Sequence, residues 1–266
     1  MKRLFLNLLS VVIVFNNVQA QDKLMLYDSV TYNIEEQLYM KKHDIVNQIE
    51  EQLREKQKIE KWNTDWAKLH CYVGLNEKIS KLTKVVFIGI SIPDKWRNLM
   101  DSAFFENNGI VCRGIDEQTS SEMLVRFQAD VISLKPNIVV ISAGTNDIAQ
   151  NNGIIELENI VHVIISMCEL AKYHNINPIL ASVLPVSQFN WHMELAPAED
   201  IIKLNFMIKT YADQNGIPYV DFHSAMKDEK NRILTKYSID GCHPNKEGYE
   251  IMKRIVLKTI RIYIKK

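Results

Sequence analysis

The run Val85-Val86-Phe87-Ile88-Gly89-Ile90-Ser91 decides how the rest of the chain reads. Its first four residues are apolar and three are β-branched, which predicts a parallel strand buried on both faces. Gly89 closes the run where a sharp turn asks for backbone freedom. Ser91 then falls just past the carboxyl end, the edge at which open α/β sheets place their ligands. A serine in that place is, by itself, more often a helix cap than a reactive group.

Working outward, strands and helices alternate. Ile110-Val111-Cys112 predicts a second strand, Ile138 to Ile141 a third, Ile179 to Leu184 a fourth and Pro218 to Asp221 a fifth. Thr119-Ser120-Ser121-Glu122 has the form of a capping box and opens a helix through Met123, Leu124, Phe127 and Val131. Ile154, Leu157, Val161, Ile164 and Cys168 mark one face of a long helix. Further helices are predicted from about Ala198 to Asn215 and from Pro244-Asn245 towards the C-terminus, with Ile251, Ile255 and Ile260 inward. Five short strands separated by helices imply an α/β fold whose parallel sheet is covered on both faces.

Ahead of the sheet, residues 21–82 lack strand patterning and read as a helical N-terminal extension. Leu38, Ile45, Ile49 and Leu53 recur near helical spacing in a stretch dense in Glu, Lys, Gln and Arg. These helices either cap the domain or pair two copies in a homodimer. Trp62, Trp66, Leu69 and Tyr72 form an aromatic face best explained by core packing. Residues 1–20 differ again. A basic Met1-Lys2-Arg3, an apolar run from Leu4 to Phe15, and small residues at Val18 and Ala20 read as a secretory signal peptide. The expected mature chain is therefore exported, periplasmic or extracellular, with no stable membrane insertion, and residues 83–266 form its sheet domain.

At 266 residues and 47% hydrophobic content the chain can bury a full core. Its 32 basic and 32 acidic residues give a formal charge of +0 and no basic stripe, which argues against a nucleic-acid partner. The four cysteines, Cys71, Cys112, Cys168 and Cys242, make no CxxC pair and do not fit a zinc knuckle. Cys112 and Cys168 fall on apolar faces and read as buried free thiols.

Two segments carry chemistry. Asp240-Gly241-Cys242-His243 places an acid and a base three residues apart ahead of a helix, as the remaining members of a Ser-His-Asp triad would stand. Ala143-Gly144-Thr145-Asn146-Asp147 follows the third strand, and Asn146 emerges beside Ser91 if strands one and three are neighbours. A side-chain amide there can donate to the oxyanion of a tetrahedral intermediate. Taken singly, that segment is an ordinary turn.

Together, Gly-x-Ser after the first strand, Gly-x-Asn-Asp after the third and Asp-x-x-His before the last helix resemble the SGNH (GDSL-type) hydrolases, over about Val85 to the C-terminus. Arg113 to Asn151 and Asp240 to Tyr249 are especially similar to the secreted bacterial acylhydrolases and esterases of that family. The resemblance implies a three-layer α/β/α sandwich with a flavodoxin-like five-stranded sheet and ester hydrolysis needing no metal or other cofactor. It makes Ser91 the nucleophile, His243 the base and Asp240 the group that orients it. The oxyanion hole would comprise the backbone of Ser91, the backbone N–H at Glu117 and the Asn146 side chain. Phe189 and Trp191, in the loop after the fourth strand, either wall a substrate pocket or anchor that loop.

Two departures stand against the family pattern. Ile90 replaces the Asp or Asn of Gly-Asp-Ser, and Glu117 replaces the glycine of Gly-Ile-x-Gly-Gln-Thr. The Glu117 carboxylate would oppose an oxyanion, by about 4 kcal/mol at ~4 Å and an effective dielectric near 20. Two expectations follow. One is an exported serine esterase that removes a small acyl group from a carbohydrate or lipid ester. The other is a catalytically impaired relative that binds a glycan, lipid or protein.

Overall fold

The computed structural model describes residues 31, 34, 37–49, 51–53, 56, 65–79 and 83–264. The expected signal peptide at 1–20 and Trp62 lie outside them. Two compact units divide the chain, Met1–Thr64 and Asp65–Lys266. In the first, residues 37–49 are helical and the side chains of Leu38, Ile45 and Ile49 are exposed. No helix among the described residues is long and apolar enough to cross a membrane.

The second unit is built on five parallel strands in the order β2-β1-β3-β4-β5. They are β1 (Val85–Gly89), β2 (Ile110–Gly114), β3 (Ile138–Ser142), β4 (Asn177–Ala181) and β5 (Tyr219–Val220). The order reverses direction at β1, so β1 lies between β2 and β3, with Gly89 opposite both Gly114 and Ser142. That register brings the segments after all three strands to one edge, at the topological switch point where such sheets bind ligands.

Alternation along β1 divides the core. Val86 and Ile88 point into the face covered by α2 (Ser120–Asp130), α3 (Leu157–Tyr173) and α4 (Ala198–Gln214). Val85 and Phe87 point into the other face, against α1 (Ser91–Lys95), the helical turn Trp96–Met100 that continues it, and α5 (Lys246–Ile264). There Trp96 is fully buried, stacked on Phe104 at 4.6 Å and on Tyr249 at 5.3 Å between ring centroids. Two layers of helices on one sheet make the three-layer α/β/α sandwich that the resemblance implies.

Several local expectations are corrected. β4 ends at Ala181; the Ser182 N–H still donates to the Val220 carbonyl of β5 at 2.9 Å, and the buried residues beyond it to Val186 lie outside the strand. Ile154 is exposed and precedes α3, so the inward face begins at Ile160 and Val161. Trp66 and Leu69 are exposed, whereas Tyr72 is buried with the Arg113 guanidinium 4.5 Å above its ring. The second compact unit, Asp65–Lys266, includes the described residues 65–79. All four cysteines are free and only Cys71 is exposed.

Candidate active site

Close packing at the end of β1 fixes the position of Ser91. A Cβ on Gly89 would lie 2.5 Å from Pro93 Cγ and 3.0 Å from the Ser142 carbonyl oxygen. A Cβ on Gly114 would collide with the backbone of Asp94. Gly89 does not have positive φ, so the close approach of α1, rather than freedom in a turn, requires glycine there. Ile90 keeps the parity of Val86 and Ile88 and enters the same apolar core, fully buried. Ser91 then opens α1 and is 3% exposed.

Ser91, His243 and Asp240 are brought together from positions 152 residues apart. His243 Nε2 lies 3.1 Å from Ser91 Oγ, and Nδ1 lies 2.7 Å from Asp240 Oδ2. Asp240 Oδ1 accepts the backbone N–H of His243 at 2.7 Å and of Cys242 at 3.0 Å. Burial would raise the Asp240 carboxyl, but these N–H groups and the imidazole together hold it below its ordinary value. A carboxylate at Oδ2 keeps the imidazole proton on Nδ1 and leaves the Nε2 lone pair facing the serine. Cys242, between acid and base, is buried and its thiol is pushed up to about 12, first by desolvation and then by Asp240. It stays a protonated thiol near neutral pH.

The segments after β2 and β3 meet over this site. Asn146 is buried and donates one amide hydrogen to the Gln118 carbonyl at 2.9 Å. An amide carries two hydrogens, so a second donor remains. Asp147, next along, accepts the Ser120 hydroxyl at 2.6 Å and the Ser120 backbone N–H at 3.0 Å, and burial raises its carboxyl. Gln118 is held in turn, its Nε2 donating to the Ala67 carbonyl at 2.7 Å and its Oε1 accepting from Arg126 Nε at 2.6 Å. Arg126 is wholly buried and also reaches the Gly89 carbonyl at 2.8 Å and Asp130 Oδ2 at 3.0 Å. The network ties the end of β1 to the loop after β2.

Glu117 takes the left-handed conformation, φ +69°, that a glycine would hold without strain. Its side chain is 81% exposed, with Oε2 3.9 Å from Lys68 Nζ. The carboxylate therefore stands in water, and the opposition worked above for ~4 Å does not apply. Its backbone N–H donates to Asp116 Oδ1 at 2.9 Å. The N–H that the resemblance places in an oxyanion hole is thus engaged by a neighbouring carboxylate.

Phe189 and Trp191 have different places. Phe189 is completely buried in the core and packs against Trp191 at 5.3 Å, so it anchors the loop and is not exposed to line a pocket. Trp191 is 44% exposed, with its ring 6.3 Å from the His243 imidazole. Its Nε1 donates to Asn151 Oδ1 at 2.9 Å, and Asn151 Nδ2 donates to the Glu117 carbonyl at 3.1 Å. Among the described residues no group of three or more His, Cys, Asp or Glu side chains is arranged to hold a metal ion.

Sequence reasoning missed Lys95. Its Nζ lies 3.4 Å from His243 Nε2 and 2.9 Å from Asp116 Oδ2. A helix opening at Ser91 places residue 95 one turn on, on the same face, and that spacing was the available signal. It also missed Arg126 and Gln118, whose partners are set by tertiary packing.

A profile of the GDSL-like lipase/acylhydrolase family matches residues 90–251. The chain is 41% identical to a candidate acylhydrolase of Bacteroides fragilis, covering 74% of this chain and 98% of that one at a TM-score of 0.73. It is 38% identical to a GDSL-like lipase of Bacteroides thetaiotaomicron, with the same coverage and a TM-score of 0.72. It is also similar to the uncharacterized lipoprotein YqeF of Bacillus subtilis, 30% identical over 99 residues. That likeness covers 36% of this chain and spans only 41% of the relative's length.

Proposed function

The chain belongs to the GDSL-like lipase/acylhydrolase family, a family of carboxylic ester hydrolases, and from this we propose that it is a serine esterase removing a small acyl group from a carbohydrate or lipid ester. The observation that carries the reading is the unbroken chain of contacts from Ser91 Oγ through His243 to Asp240, 3.1 and 2.7 Å long. Ser91 Oγ attacks the ester carbonyl while His243 Nε2 takes its proton, and Asp240 stabilises the imidazolium. The same Nε2–H then protonates the departing alcohol, leaving an acyl-serine. Water attacks that ester with His243 again as base, which releases the carboxylic acid and restores Ser91. The free Asn146 amide hydrogen and the Ser91 N–H are the proposed oxyanion donors, joined by the Glu117 N–H when Asp116 turns away. The near-complete burial of Ser91 supports a short acyl group, and exposed Trp191 beside the imidazole supports a sugar or lipid alcohol. The likeness to a lipoprotein and the basic, then apolar, opening of the sequence support export; the mass of the chain recovered outside the cytoplasm tests that.

A second reading, a homologue that binds without turnover, is favoured by the engagement of the Glu117 N–H with Asp116. Hydrolysis of 4-nitrophenyl acetate and butyrate separates the two. The esterase reading expects turnover that falls by at least about a thousandfold in Ser91→Ala. A folded parent chain with no turnover above that variant would overturn it.

A further inference from the structure

Beside the catalytic histidine stands an ammonium group that the triad chemistry does not use. Lys95 Nζ is 3.4 Å from His243 Nε2, the atom that must hand its proton to the leaving alcohol. A leaving oxygen within hydrogen-bond reach of Nε2 therefore brings its own substituents within reach of Lys95. The present partner of Lys95 is Asp116 Oδ2 at 2.9 Å, in a pair whose side chains are 27% and 47% exposed. Such partly solvated pairs hold weakly, so an incoming anion can take the place of Asp116 at little cost.

We propose that Lys95 is a specificity-determining residue that selects esters whose alcohol half carries a carboxylate or comparable anionic group. The inference rests on the esterase reading above and adds the substrate class. Of this pair it is Lys95 whose charged group touches Nε2, while the described side-chain contacts of Asp116 are to Lys95 and to the Glu117 N–H. The exchange has a second effect. The carboxylate that holds Lys95 through Oδ2 also takes the Glu117 N–H through Oδ1. A substrate anion that draws Lys95 away loosens Asp116 and frees that N–H for the oxyanion, so the preference enters kcat as well as KM. The described contacts of Lys68 are to Glu117 and the Asp116 carbonyl, whereas Lys95 is the ammonium whose described contact reaches the imidazole.

The test compares 3-acetoxybenzoate with its methyl ester, identical at the reacting ester but anionic in one case. The expected ratio of kcat/KM favours the anion by about tenfold, one partly screened charge-assisted contact. Lys95→Gln should bring the ratio near one, Lys95→Arg should keep most of it, and Asp116→Ala should raise it. Ionic strength of about 1 M, where the screening length falls to about 3 Å, should compress it. A ratio near one in the parent, or one that Lys95→Gln leaves unchanged, overturns the proposal while the esterase reading stands. If neither ester is hydrolysed by the folded chain, the esterase reading fails instead. Calorimetric binding of 3-hydroxybenzoate against its methyl ester then reads the same preference, and equal binding of the two overturns the proposal as well.

Discussion

Glu117→Gly tests how the site tolerates a carboxylate where a glycine is usual. At φ +69° a side chain bearing a Cβ costs about 1–2 kcal/mol relative to an ordinary backbone conformation. Glycine removes that strain but gives the unfolded chain more freedom, worth about 0.5–1 kcal/mol in the opposite direction. The net expectation runs from no change to a stabilisation of about 1.5 kcal/mol, each ~1 kcal/mol being worth roughly 2–4 °C in Tm for a unit of about 200 residues. The electrostatic effect on catalysis is smaller than a buried carboxylate would cause, because the Glu117 side chain is 81% exposed and near Lys68. Two charges a Debye length apart in water, ~8 Å, interact by about 0.5 kcal/mol, which is roughly twofold in rate. Thermal melts and 4-nitrophenyl acetate hydrolysis on the same preparations read both numbers. A rate gain of a hundredfold or more would refute the outward placement of this carboxylate, and a loss of stability would refute the strain.

Asp240→Asn should lower kcat on the order of 10⁴-fold by removing the acceptor that keeps the imidazole proton on Nδ1, measured with the same esters. The Asp240 carboxyl is depressed in the folded chain, so its contribution to stability is complete above its ordinary value of 3.8 and is lost as pH falls through the lower folded value. The acid limb of parent stability should therefore be steeper below about pH 3.8 than that of Asp240→Asn, by urea titration at each pH. Arg126→Ala should destabilise by about 3–5 kcal/mol, since it takes the paired cation from the buried Asp130 carboxylate, leaving it the Asn76 amide, and opens the Gln118 and Gly89 contacts; a smaller change in urea would show that water repairs the gap. A disulfide reagent should titrate one thiol in the native chain and four after denaturation. Cys112, Cys168 and Cys242 are buried and each is pushed up to about 12, and a second fast native thiol would contradict that burial.

What was legible in the sequence was local. The apolar run Val85 to Ile88, the Thr119–Glu122 capping box and the limits of α4 and α5 follow from patterns within a few residues, and each has its structural counterpart. β5 shrank to two residues because pairing with β4, which periodicity does not see, sets its length. At the site, Asp240 and His243 sit in one tight loop and read directly, whereas their meeting with Ser91 was supplied by resemblance; the neighbouring of β1 and β3 bore only on Asn146. Ile90 looked like a loss of a polar contact because its reading stopped at the turn; strand parity carries it into the core. Lys95 stayed hidden because its partners, Asp116 and His243, are 21 and 148 residues away.

The short segment 65–79 has a consequence for how this protein can be cut and changed. Ala67 accepts from Gln118, Lys68 donates to the Asp116 carbonyl, the Tyr72 hydroxyl donates to the Gly114 carbonyl, and Asn76 Nδ2 donates to the Ala129 carbonyl. Each of these contacts lands on the loop that carries Asp116 to Gln118, on the last residue of β2 before it, or on the helix that follows it. A shortened protein beginning at Val85 would retain Ser91, Asp240 and His243 and still lose the contacts that hold the loop Asp116 to Gln118. The stretch in front of the sheet is thus a place where mutation can shift the proposed oxyanion loop from a distance, leaving Ser91, Asp240 and His243 themselves untouched.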